Sequence, residues 1–234
     1  MKLNRLLIII PAYNEGKNIC QVVDDINKNA TFADYVIIND GSKDDTKEIC
    51  DKYQLNAVHL PVNLGIGGAV QTGYMYAERN GYEYAVQIDG DGQHDVSFLK
   101  KMYDCIKSRK VNMVIGSRFI EGKGFQSTFM RRVGIRFFSG IIHLFTKVKI
   151  TDPTSGLRMI DKGLIHDFAQ QYPKDYPEPE SIVYAIKRKN RIMELPVVMR
   201  ERQSGESSIS PLKSVYYMIK VTLAIFFELM RKES

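Results

Sequence analysis

A chain of 234 residues, 44% hydrophobic and 26% charged, suffices for one sizeable domain with a proper core and is too apolar for a disordered one. Its three cysteines, Cys20, Cys50 and Cys105, lie far apart, which excludes a CxxC redox or metal site and reads as buried, reduced thiols of a cytosolic protein. The net charge of +6 is uneven, −2 over residues 1–117 and +8 over 118–234, so the second half either meets an anionic partner or presents a solvated basic face.

The opening "MKLNRLLIIIPAYNE" has an apolar run too short for a signal peptide and no cleavage site, so residues 5–10 are expected as a first strand, covered on both faces. A helix follows over 15–29, with Ile19, Val22, Val23 and Ile26 at helical spacing. "YVIIND" (35–40) is a second strand, and Ser42 or Asp44 can cap the helix after it. The pattern continues as strand 57–60, helix 69–79, strand 82–89, helix 96–109 and strand 111–117. Strands alternating with helices imply an α/β fold with a largely parallel sheet, and ligands in such sheets bind beyond the carboxyl ends of the strands. The second half is less regular. Residues 118–149 are basic and aromatic, "TDPTSGLRMI" reads as turn then strand, and a Pro-rich connection leads to a helix over 180–189. A late strand over 192–199, a polar loop and a last helix from Pro211 to about Lys232 complete the chain.

Two stretches invite a chemical reading. "NLGIGGAVQTG" opens a helix as a dinucleotide fingerprint would, but the G-x-G-x-x-G spacing fails at Val70 and the turn follows the third strand, not the first. Gly67 and Gly68 are therefore expected to serve close helix–sheet packing. In "DGDGQH", Asp89 and Asp91 leave a strand two residues apart and can converge on one hard cation, with Gly90 permitting the turn between them. Mg²⁺ or Mn²⁺ prefers such oxygen ligands and keeps positions open for substrate phosphates; an ordinary Asp-Gly surface turn is the plainer alternative. His94 is expected as a structural or supporting residue. Asp40, ending the second strand, can accept hydrogen bonds from a nucleobase.

"PAYNE", "NDGSKDDT", "NLGIGGA", "DGDGQH", "GSRF", "DPTSGLR" and "RQSGESS" follow one another in an order that resembles the family 2 glycosyltransferases of the GT-A fold, over residues 5 to about 209. Within that family the likeness is to the polyprenyl-phosphate glycosyltransferases, the group of the dolichyl-phosphate mannose synthases. The second motif of the family usually has two aspartates, and here the first is Asn39. Related enzymes often carry a serine where this chain has Ile135. The Gln-x-x-Arg-Trp motif of processive synthases is absent, as is any Trp.

The resemblance implies a GT-A, Rossmann-like domain over 1–209, with a nucleotide-sugar half (1–117) and an acceptor half (118–209), then an amphipathic helix over 210–234. Pro11, Ala12, Tyr13, Glu15 and Asp40 would hold the nucleoside, and Asp89, Gly90 and Asp91 the diphosphate. Asp89, Asp91 and Gln93 would hold Mg²⁺ or Mn²⁺. Arg118, Arg131 or Arg132, and Arg202 would receive the acceptor phosphate or the diphosphate, with Asp91, Arg118, Arg131 and Arg202 as the catalytic set. The implied reaction inverts a sugar as it passes from a nucleotide-sugar, a UDP-sugar by preference, to an undecaprenyl-type phosphate. It would occur at the cytoplasmic face of the cell membrane, in cell-wall or surface polysaccharide assembly. A lipid phosphate monoester has a second pKa of about 6 and is already a nucleophile near neutral pH, so no enzymic base is required.

No apolar run reaches ~18 residues, so no membrane span is expected. The last helix and "VGIRFFSGIIHLF" (133–145) combine basic and aromatic residues, as helices lying on a membrane surface do. Docking on the protein's own core, on a small membrane-protein subunit or on a second copy are the alternatives. Two rival functions remain: transfer to a glycan hydroxyl with Glu178 or Glu180 as base, and a non-catalytic nucleotide-sugar-binding subunit of a membrane complex. Nucleic acid is not an expected partner, because the basic and aromatic residues accompany apolar helix faces and form no known binding module.

Overall fold

A computed structural model describes residues 5–124, 129–174, 177–200 and 211–230. Strand β1 (Leu6–Ala12) is buried at every position because it pairs in parallel with β2 (Asp34–Asn39) on one side and β4 (Tyr84–Gln87) on the other. Its side chains alternate between two cores, as a pleated strand requires. Leu7 and Ile9 enter one, Leu6, Ile8 and Ile10 the other. The second core takes Ile19, Val22, Val23 and Ile26 of α1 (Ile19–Asn29), Cys50 of α2 (Thr46–Lys52), and Leu99, Met102 and Ile106 of α4 (Phe98–Arg109). Burial pushes the Cys50 thiol up to about 11, which leaves it protonated and unreactive, as its isolation in the sequence suggested.

The first core takes α3 (Gly65–Arg79), α5 (Phe129–Thr146), α6 (Lys162–Gln170), α7 (Pro177–Lys187) and α8 (Pro211–Met230). Tyr74, Phe168 and Tyr172 meet there with ring centroids 5.1 to 5.6 Å apart. Each large side chain so buried contributes roughly 1.5–3 kcal/mol.

The sheet has seven strands in the order β3-β2-β1-β4-β6-β5-β7, completed by β3 (Ala57–His59), β5 (Met113–Ser117), β6 (Arg158–Asp161) and β7 (Ile192–Pro196). It is mostly parallel, as expected. The exception is β6, antiparallel to both β4 and β5, with Arg158 opposite Gln87 and Ile115. Because β6 runs backwards, its start faces the edge where its neighbours end. That reversal delivers the turn "DPTSG" to the carboxyl edge of the sheet. It also makes the sheet continuous across the two expected halves of the chain.

Several boundaries differ from expectation. β4 stops at Gln87, leaving Asp89 on a loop, and β7 stops at Pro196. Helix α3 starts at Gly65, four residues before Ala69, because Asp40 satisfies its first N–H groups from outside. Helix α7 starts at Pro177, since proline in a first turn removes only N–H groups that have no helical partner. The helix α6 carries no separate expectation from the sequence. No described helix is long and apolar enough to cross a membrane.

Candidate active site

The ends of β1 and β2 are held together by side chains that their motifs supply. The Asn14 N–H donates to the Ser42 hydroxyl at 2.9 Å, and the Lys43 N–H to Asn14 Oδ1 at 2.8 Å. The Glu15 N–H donates to the Thr46 hydroxyl at 3.0 Å, and the Gly16 N–H to Asp44 at 3.2 Å. Burial works against the Asp44 charge, but the hydroxyl and N–H of Thr46 and the N–H of Gly16 outweigh it, holding the carboxyl below its usual range. The N-cap of α2 is Asp45, not the expected Ser42 or Asp44, and Asp44, accepting from both Thr46 and Gly16, staples two motifs.

Beside this staple lies a cavity of about 500 Å³. Pro11 and Ala12 at the end of β1, with Tyr13 and Glu15 just after it, wall it on one side, joined by Asp40 just after β2 and by Asp89, Gly90 and Asp91 from the loop after β4. Asn63, Gly65, Ile66 and Ala69 at the head of α3, and Glu178 at the head of α7, complete the wall. Every residue expected to bind the nucleotide-sugar is thus in one cavity.

Asp40 is 4% exposed, and its two oxygens accept the N–H groups of Leu64 and Gly65 at 2.7 and 2.9 Å. Its charge complements the positive end of the α3 dipole. The expected nucleobase acceptor is therefore also the cap of α3, with further lone pairs left on each oxygen. Asn39 stands where an aspartate is usual; it donates to His59 Nδ1 at 3.0 Å and accepts from the Ser42 N–H at 3.1 Å.

In "DGDGQH" the Asp89 N–H donates to His94 Nδ1 at 3.0 Å, and the Gln93 N–H to Asp91 Oδ1 at 3.0 Å. His94, 3% exposed, is the supporting residue expected of it. Gln93 departs from expectation. It is not among the residues lining the first cavity or its neighbour, and its backbone serves the motif: its carbonyl accepts the Arg200 N–H at 2.9 Å. Arg200 then reaches Asp25 at 2.8 Å and Asp95 at 3.0 Å. A second cavity of about 490 Å³ lies between α1 and this loop, sharing Asp91 with the first.

The described residues contain no cluster of three or more His, Cys, Asp or Glu that could hold a metal alone. Two carboxylates that leave positions for diphosphate oxygens are what Mg²⁺ or Mn²⁺ accepts. The space before Asp89 is kept open by Gly156, where a Cβ would stand 3.1 and 3.2 Å from the two carboxylate oxygens. Asp89 and Asp91 fit such an ion.

The arginines divide. Arg118, expected to meet phosphate, is 5% exposed and gives two hydrogen bonds of 2.7 Å to Asp152, which is fully buried. A further bond goes to Thr154 at 3.0 Å, and Arg118 is absent from the cavity wall. It is a structural residue of the "DPTSG" turn. Glu194 of β7 holds the same turn, accepting from the N–H groups of Thr151 and Asp152 at 2.7 and 2.8 Å, while burial raises its carboxyl pKa. Arg131 is exposed on α5, and its charge acts on Glu178. Arg202 lies outside the described residues.

Arg158 received no role from the sequence and is the hub of the turn. Its guanidinium is 2% exposed and donates to the carbonyls of Ser155 at 2.8 Å, Pro153 at 2.9 Å and Glu178, and to the Ser181 hydroxyl at 2.7 Å. These bonds tie the turn to the first turn of α7. A lone arginine in the strand "LRMI" was the available signal, because an unpaired buried charge is too costly to keep without a purpose.

The glycines of "NLGIGGA" also act differently than expected. A Cβ on Gly67 would come 2.3 Å from the carbonyls of Pro173 and Lys174, whereas the glycine pressed on the sheet is Gly73, where a Cβ would come 2.2 Å from Ile9. Gly67 thus seats the backbone of Pro173 and Lys174.

The sequence profile of Glycosyl transferase family 2 matches residues 7–168. The UDP-N-acetylglucosamine–dolichyl-phosphate N-acetylglucosaminyltransferase of Methanococcus voltae is 32% identical over 212 residues, 82% of this chain and 84% of that protein. The polyprenol monophosphomannose synthase of Mycolicibacterium smegmatis is 27% identical over 216 residues, covering 88% and 81%. Among solved structures, glucosyl-3-phosphoglycerate synthase from Mycobacterium tuberculosis, in complex with Mn²⁺, UDP and glucosyl-3-phosphoglycerate, shares the fold with a TM-score of 0.72 at 17% identity, over 98% of this chain and 81% of that one.

Proposed function

Because the chain belongs to glycosyl transferase family 2, we propose that it transfers a sugar from a nucleotide-sugar, a UDP-sugar by preference, to a polyprenyl phosphate of the undecaprenyl type. The observation that carries this reading is the convergence of Asp40, Asp89 and Asp91 on one cavity beyond the carboxyl ends of β2 and β4, the two parallel neighbours of β1. The names of the relatives, a dolichyl-phosphate N-acetylglucosaminyltransferase and a polyprenol monophosphomannose synthase, support it.

In this reading Pro11, Ala12, Tyr13, Glu15 and Asp40 hold the nucleoside, and Asp89 to Asp91 face the diphosphate. Mg²⁺ or Mn²⁺ held by Asp89 and Asp91 would neutralise the leaving diphosphate. The acceptor phosphate is anionic near neutral pH and attacks without a base. Arg131, with Arg202 beyond the described residues, is proposed to receive that phosphate, for which a planar guanidinium fork is suited. An acceptor oxygen bonds to the anomeric carbon as the bond to the diphosphate breaks on the opposite face, which inverts the configuration. The site is proposed to work at the cytoplasmic face of the cell membrane, as a peripheral enzyme.

Asp91→Ala tests the reading. Turnover should vanish with the fold intact, and Mn²⁺-dependent thermal stabilisation by nucleoside diphosphates should disappear. Near-normal turnover would overturn the metal assignment. One observation favours a second reading: the carboxyl of Glu178 in the cavity wall would suit a base for a glycan hydroxyl acceptor. A product that partitions into organic solvent distinguishes lipid phosphate from glycan as the acceptor.

A further inference from the structure

The reaction proposed above has no use for a proton acceptor, yet a third carboxylate stands in the donor cavity. Glu178 shares the wall with Asp89 and Asp91, but among the described residues these three do not form a group that could hold one metal ion. A carboxylate there would repel both the diphosphate and the incoming phosphate. What remains of the two substrates at this place is the sugar, which is neutral and presents hydroxyls. We propose that Glu178 accepts hydrogen bonds from hydroxyls of the transferred sugar and so determines which sugar the site takes. The inference rests on the reading of the cavity as a nucleotide-sugar site.

The backbone is built to hold such a reader still. The Glu178 carbonyl receives Arg158 Nη1 and lies 3.2 Å from the Ser181 hydroxyl, so the first turn of α7 is anchored to the buried "DPTSG" turn. Earlier in the chain, Pro173 and Lys174 lie against Gly67 of α3, whose head Asp40 caps. The surroundings desolvate the carboxyl, raising its pKa, while Arg158 and Arg131 favour its charge and Asp89 opposes it. In a desolvated place a hydrogen bond between hydroxyl and carboxylate discriminates strongly, because a sugar lacking the hydroxyl leaves the carboxylate unpaired.

The test compares free nucleoside diphosphates with their sugar esters. Calorimetric titration with UDP, GDP, UDP-glucose, UDP-N-acetylglucosamine and GDP-mannose in Mn²⁺ identifies the esters that the wild type prefers. In Glu178→Ala the affinity for the preferred ester should fall about ten- to hundredfold, while that for the free diphosphate stays within about twofold. Glu178→Gln, which keeps the shape and one acceptor, should lose less and should accept a wider set of sugars. Equal losses for ester and free diphosphate would reduce Glu178 to a structural residue and overturn the proposal. Unchanged ester affinity with abolished transfer would also overturn it, and would make Glu178 a base. If the wild type bound no nucleoside diphosphate, the donor-site reading would fail first and this inference with it.

Discussion

Arg118 and Asp152 show how a side chain's chemistry is decided by a partner 34 residues away. The motif "GSRF" offers an arginine at the carboxyl end of a strand, where a phosphate would be welcome. The structure pairs it instead, with side-chain exposures of 6% and 0%. Removing one partner of such a pair leaves a buried charge uncompensated, at a cost of about 3–5 kcal/mol. Arg118→Ala should therefore lower the melting temperature by on the order of 10 °C. A variant that melts like the wild type but fails only in transfer would return Arg118 to the catalytic set. The paired acids of "DGDGQH" were legible for the opposite reason, since what identifies them is local: two carboxylates, their spacing and the strand they leave.

Between elements the decisive contacts are close approaches that only small residues allow. Helix α3 begins where Asp40 can receive its N–H groups, and the backbone of Pro173 and Lys174 lies against it at Gly67. A methyl group at Gly67 must push two carbonyls aside, and neither is the free end of a flexible side chain. Gly140, exposed on α5, has nothing within 4 Å of a Cβ, so alanine there only improves helix propensity, by up to about 1 kcal/mol. Gly67→Ala should thus lower the melting temperature and Gly140→Ala should hold or raise it. Equal shifts in scanning calorimetry would show that the Gly67 contact is not tight. The reversal of β6 belongs to the same scale. Alternating strands and helices argue for parallel pairing, but nothing local in "LRMI" states its direction, which the pairing with β4 and β5 decides.

At the scale of the whole molecule, the described residues of α5 and α8 leave large apolar side chains exposed. Val221 and Ile225 of α8 are buried in the core, so the last helix docks on the protein itself. Leu223, Phe226, Phe227 and Met230 of the same helix, and Val133, Phe137, Leu144 and Phe145 of α5, are exposed. Of the expected alternatives for this helix, the protein's own core takes one face, while the opposite face is left exposed. On the proposed function the outer face meets the membrane that holds the acceptor, with Arg136 and Lys220 exposed on these helices to meet anionic headgroups. The double variant Phe226→Ser, Phe227→Ser should keep its melting temperature and lose flotation with anionic liposomes. It should also lose transfer to a long-chain lipid phosphate more than to a short soluble analogue. Undiminished flotation would exclude this face as the membrane contact.

By itself the sequence determined the alternating α/β plan, the two-sided burial of β1, the family, and eight residues, Pro11 to Tyr13, Glu15, Asp40 and Asp89 to Asp91, that the structure gathers around one cavity. Each of these rests on local patterns, either hydrophobic period or motif spacing, that survive without knowledge of distant partners. The tertiary structure alone decided the reversed β6, the burial of Arg118, the hub at Arg158, the backbone role of Gln93 and the place of Glu178 beside Asp89. These depend on which groups meet across the sheet edge, and a charged side chain's role follows from whether it meets a partner, a carbonyl or open space.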